Sequence, residues 1–163
     1  MTGQTVILEM ARREAAHLAD LVEQFAALLD SDSVDGDPAI ARLSPDAYPE
    51  DSAAADEFRR LTRSDLLERR RADSAVVLAS LAEDGAVPRI ADVDDDVAMD
   101  SRVLTLDPAE SAAWLRTLAA LRLVLASRLG VTAEDAHDDD DPRFGVYEWL
   151  GYRLEGLLQA LNE

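Results

Sequence analysis

The sequence predicts a mainly α, single-domain bundle of about five helices, spanning 1–163, with a minor two-stranded β element. Three observations carry that expectation. Leucines recur at alternating threes and fours over several long stretches, which is the spacing of one buried helical face. Asp-Pro pairs stand where helices are due to begin: Asp37-Pro38, Asp107-Pro108 and Asp141-Pro142. Aspartate at N-cap accepts from free backbone N–H groups, and proline at N1 has no N–H to leave unsatisfied. Two short β-branched or leucine-rich segments, Thr5 to Met10 and Arg102 to Asp107, each lead into a helix and pair as a small ribbon.

In chain order, a first helix is predicted from about Arg12 to Asp30, with Leu18, Leu21, Val22, Phe25, Leu28 and Leu29 on its stripe. A short turn of helix follows at Pro38 to Leu43. A middle pair is predicted at Ser52 to Leu61 and Ser64 to Ala82, the second carrying Leu67, Arg71, Ser74, Leu78 and Leu81 on one line. The stretch Pro108 to Leu129 is apolar nearly all round and should be the central helix. Glu110 falls at its N3 position and Gly130 at its C′ position. The last helix, Pro142 to about Asn162, places Phe144, Tyr147, Leu150, Leu154, Leu157, Leu158 and Leu161 on a core-facing stripe. The remainder is loop.

Composition limits function. Sixteen basic residues, all arginine, stand against 34 acidic ones, for a formal charge of −18 and no cysteine. Nonspecific nucleic-acid binding and anionic membrane binding both need cationic patches, so neither is expected. No thiol nucleophile, disulfide or thiolate metal site is available. The N-terminus lacks a basic leader and no apolar run approaches a membrane span, so a cytoplasmic location is expected.

The acidic loops at Asp92 to Asp100 and Asp138 to Asp141 do not build a calcium loop. Counting from Asp92, the sixth residue is Val97 and the twelfth Val103, where a glycine and a glutamate are required. From Asp30 the glycine comes one place late and the twelfth residue is Ala41. His17 and His137 form no metal or catalytic pattern, and no GxSxG, GxGxxG or phosphate loop occurs. No catalytic residue, cofactor or metal is expected.

Four candidates stand out. On the last helix, Gly145, Trp149, Tyr152 and Gly156 recur beside the leucine stripe and make a candidate contact shelf, Trp149 inclining to the core and Tyr152 to the rim. Tyr48, bracketed by Pro45 and Pro49, is a candidate in a rigid loop. Arg122, interrupting the most apolar helix, is a candidate structural ion pair whose guanidinium reaches an internal carboxylate. The triplet Arg69, Arg70, Arg71 is spread around its helix by 100° steps, so a phosphate site there needs convergent arginines from elsewhere.

The phrases Asp37 to Tyr48, Glu57 to Thr62, Trp114 with Leu121 to Leu125 and Arg128 to Val131, and Tyr147 to Gly151, in that order and spacing, resemble a small actinobacterial family of unknown function. Its members are often encoded beside the substrate adaptor of the Clp protease. The resemblance covers nearly the whole chain and implies a neighbourhood without implying a site. The expected function is therefore a non-catalytic protein acting through protein contacts, with a protein partner or a second copy of itself, as an accessory factor in regulated proteolysis. The alternative is an acidic nucleic-acid mimic that blocks a DNA- or RNA-binding protein, followed by a carboxylate-metal enzyme.

Overall fold

The computed structural model describes residues 3–30, 38–41, 43, 52–130 and 144–163. The elements run β1 (Val6–Ala11), α1 (Arg12–Leu29), α2 (Pro38–Ala41), α3 (Ser52–Leu81), a 3-10 turn at Ile90–Asp92, β2 (Ser101–Leu106), α4 (Pro108–Leu129) and α5 (Gly145–Asn162). The strands pair antiparallel, with Val6 opposite Leu106, Leu8 opposite Leu104 and Met10 opposite Arg102. Alternation then decides the faces: Val6, Met10, Leu104 and Leu106 are buried, whereas Ile7, Glu9, Val103 and Thr105 point outward. The mainly helical fold with a minor ribbon is as the sequence predicts.

One core joins all the longer elements. Leu18, Val22 and Phe25 of α1, Val77 and Leu81 of α3, Trp114, Leu118 and Leu121 of α4, and Leu150 and Leu157 of α5 belong to a single buried cluster. Helix α4 is its axis, touching α1, α2, α3, α5 and β2. Its ends follow the capping logic. Glu110 N donates to the Asp107 carboxylate at 2.8 Å, Pro108 opens the first turn, and Gly130 closes the helix at φ 73°.

Helix α1 begins without a side-chain cap, because Ala11 at N-cap offers no acceptor. Loop carbonyls replace it: Arg12 N donates to Asp100 O and Arg13 N to Ala98 O, each at 2.9 Å. Glu14 contributes the other half of a capping box, accepting from Ala11 N at 3.4 Å. The loop before β2 is thus fixed to the start of α1.

The predicted middle pair is a correction. Residues 52–81 form one continuous helix of 30 residues. The polar run Thr62-Arg63-Ser64 suggested a break, but no glycine or proline falls anywhere in the span. The Thr62 hydroxyl donates to Phe58 O at 2.8 Å, satisfying itself inside the helix instead of capping a new one. The last helix is described from Gly145, and Pro142 lies outside the described residues.

Candidate contact surface

Helix α5 is tied to β1 and to the residues before it. Gln4 Nε2 donates to Ala160 O at 3.0 Å, and Arg153 Nη1 donates to Glu9 O at 3.0 Å. Arg153 also takes part in a junction centred on Glu14. The Trp149 indole N–H donates to Glu14 Oε2 at 3.0 Å, and the Arg153 guanidinium grips the same oxygen through Nε and Nη2. Burial alone would raise the Glu14 pKa, but hydrogen bonds from Arg153 and Trp149 and the arginine charge outweigh it, so the carboxyl sits below its ordinary value. One carboxylate thereby joins α1, β1 and α5.

The predicted shelf residues separate across this junction. Trp149 is half-buried against the core and anchored by its N–H. Tyr152 is 72% exposed, and its ring centroid lies 5.8 Å from the Arg153 guanidinium carbon. Gly145 and Gly156 are open to solvent, with nothing within 4 Å of a built Cβ. Tyr48 lies outside the described residues.

Arg122 meets an aromatic ring. Its guanidinium carbon stands 4.2 Å from the Tyr147 ring centroid, and its Nε is buried without a hydrogen-bond partner among the described residues. Gly151, one turn beyond Tyr147, makes room: a Cβ there would fall 3.0 Å from Arg122 Nε. The π face of Tyr147 is thus the partner the guanidinium meets among the described residues.

Sequence reasoning overlooked the outer face of the ribbon. Ile7 is 70% exposed and Val103 is 61% exposed, and the register makes them diagonal cross-strand neighbours, roughly 7–8 Å apart. On α5, the exposed Tyr152 is next in sequence to the Arg153 that reaches the Glu9 carbonyl of β1. The signal was present in β1, where an apolar Ile7 occupies the outward phase of the alternation Val6, Leu8, Met10.

The chain matches, over residues 1–161, the family described as Domain of unknown function (DUF2017). It belongs to that family. No curated protein and no solved structure matches it. The family description assigns no site, so the residues above stand on geometry alone. Among the described residues no group of three or more histidine, cysteine or acidic side chains is placed to hold a metal ion. In the loop at Asp92 to Asp100, Asp95 pairs with Arg13 at 3.2 Å. Among the described residues no helix is long and apolar enough to cross a membrane.

Proposed function

We propose that the protein is non-catalytic and works by docking a protein partner on the ribbon face. The observation that carries this reading is the pair Ile7 and Val103, exposed together on the outward side of β1 and β2. Isolated exposed apolar residues are ordinary, but two neighbouring ones on one sheet face form the apolar centre of a contact site. With a formal charge of −18, the approach of a basic partner is favoured electrostatically. The finer assignment, an accessory factor in regulated proteolysis within an actinobacterial cytoplasm, rests on the neighbourhood implied by the sequence resemblance.

The test compares the wild-type chain with Val103→Glu and Tyr152→Ala in affinity capture from the native cytoplasm, alongside sedimentation of the purified chain. Both substitutions fall on exposed side chains and should leave the melting temperature unchanged. A partner held by the wild type and lost by both variants supports the reading, and loss of self-association places a second copy on the face. Capture that is indifferent to both substitutions defeats it.

A further inference from the structure

The arginine triplet on α3 has the convergent partner that a phosphate site requires. Leu66, Arg69, Arg70 and Asp73 share one stripe of α3, at steps of three, four and seven. Arg116 of α4 faces that stripe and closes a cleft of about 480 Å³ with those four residues. Arg71 turns the other way, to Asp30 at 3.0 Å and the Leu29 carbonyl at 3.3 Å. Two members of the triplet and one arginine from another helix therefore line a common space.

The charges in the cleft do not cancel. Asp73 is committed to Arg116, accepting from Nε at 2.8 Å and from Nη2 at 2.9 Å. Arg70 finds only the Arg116 carbonyl, at 3.4 Å through Nη1. Its Nε–H is hidden from solvent and has no hydrogen-bond partner among the described residues. Arg69 has no ion pair among the described residues. Burial pulls the Arg70 pKa below its ordinary value, and the Arg116 and Arg69 charges add to it against the opposing pull of Asp73. In a chain so acidic, three guanidiniums sharing one carboxylate is a local reversal of sign.

We propose that this α3/α4 cleft is a binding site for a phosphate monoester. Three arginines against one aspartate leave a surplus of two positive charges, and a phosphate monoester carries about −1.5 to −2 at neutral pH. A carboxylate neutralises only half of that surplus. Guanidinium forks from two helices suit an oxyanion with three accepting oxygens. The cleft exceeds what phosphate alone fills, and Leu66 supplies an apolar wall for the organic group of the ester. The site is separate from the ribbon face and does not depend on it.

The experiment is a titration of the full labelled chain at low ionic strength with inorganic phosphate, phenyl phosphate and benzoate, following arginine Nε–H resonances. A phosphoserine peptide run beside phenyl phosphate distinguishes a modified protein from a small ester as the source. Saturable movement of the Arg70 signal is expected, with phenyl phosphate binding more tightly than inorganic phosphate and about tenfold more tightly than benzoate. Arg69→Gln should weaken phenyl phosphate about tenfold while the melting temperature holds. Arg70→Lys, which keeps the charge and removes the fork, should weaken it as well. No saturable shift in the wild type, equal affinity for benzoate, or wild-type affinity in the folded Arg69→Gln variant overturns the proposal.

Discussion

Arg153 and Arg70 are both partly buried arginines on helix faces, yet they end in opposite circumstances. Arg153 meets the Glu14 carboxylate and the Glu9 carbonyl, and Trp149 completes the donor set around the same acid. Arg70 has two cationic neighbours, and the one aspartate beside it is already held by Arg116. The Glu14 junction looks inward and fixes three elements together. The α3/α4 cleft looks outward with donors unspent. Elsewhere the arginines resemble Arg153: Arg102 donates to the Leu81 and Ala82 carbonyls at the end of α3, and Arg89 pairs with Glu23 at 2.6 Å. Among the described residues Arg70, like the ring-stacked Arg122, departs from that pattern, and packing does not account for its unspent Nε–H.

The largest expected effect tests whether the junction is structural. Trp149→Ala removes a half-buried aromatic and one of the donors on Glu14, and should cost about 3 kcal/mol in chemical denaturation. Tyr152→Ala, three positions along the same helix but 72% exposed, should change stability by less than about 0.5 kcal/mol. Equal losses at the two positions would place Tyr152 in the core and remove it from the contact surface.

Glu14→Gln should cost about 2 kcal/mol at neutral pH, because Arg153 then faces an uncharged acceptor. The pH dependence has a definite sign. The folded-state pKa of Glu14 lies below the usual carboxylate value, so its contribution is complete above the unfolded value of about 4.3 and is lost as pH falls through the folded one. Glu83, lowered by its hydrogen bond to Arg12, contributes in the same window. Melts between pH 7 and pH 3 should therefore show Glu14→Gln with a shallower acid limb than the wild type. Parallel limbs would mean that the ion pair adds nothing beyond packing.

The third expectation separates two adjacent arginines. Arg71→Gln loses the Asp30 and Leu29 contacts and should cost about 1 kcal/mol. Arg69→Gln removes one of three like charges from the cleft and should leave stability within about 0.5 kcal/mol, whatever it does to anion binding. A loss at Arg69 as large as that at Arg71 would make the cleft a structural device.

These differences also mark what the sequence conveys. Helix caps are local, so Asp107-Pro108 with Glu110, and Gly130, were legible as the ends of α4 from residue types alone. Strand composition is local too, and the β-branched or leucine-rich make-up of Thr5 to Met10 and Arg102 to Asp107 put them in a ribbon. The length of α3 was misjudged because Thr62 and Ser64 resemble a cap, and only the hydroxyl bond to Phe58 O reveals that the helix continues. Long-range charge pairing was the illegible part. Glu14 and Arg153 are 139 positions apart, and Asp73 and Arg116 are 43 apart. With 34 acids on offer, sequence alone does not select the partner of any one arginine. The Arg69 to Arg71 triplet shows this most clearly: helical periodicity spread its members correctly, but only the packing of α4 against α3 brings Arg116 to two of them.

The smallest expected effect concerns two glycines on α5, Gly156 six residues from the end of the helix and Gly151 five residues further in. Gly156 has nothing within 4 Å of a built Cβ, so Gly156→Ala gains helix propensity at no steric cost. It should stabilise by about 0.5–1 kcal/mol. Gly151→Ala has the same intrinsic gain, but its Cβ would stand 3.0 Å from Arg122 Nε and Nη2, forcing the guanidinium off the Tyr147 ring. A partly buried cation–π contact is worth about 1 kcal/mol, which offsets the gain and leaves the variant near wild type. Denaturation of the two variants side by side therefore measures the Arg122–Tyr147 contact by difference. If Gly151→Ala stabilises as much as Gly156→Ala, the stacking contributes nothing, and Arg122 is held in place only by its aliphatic stem along α4.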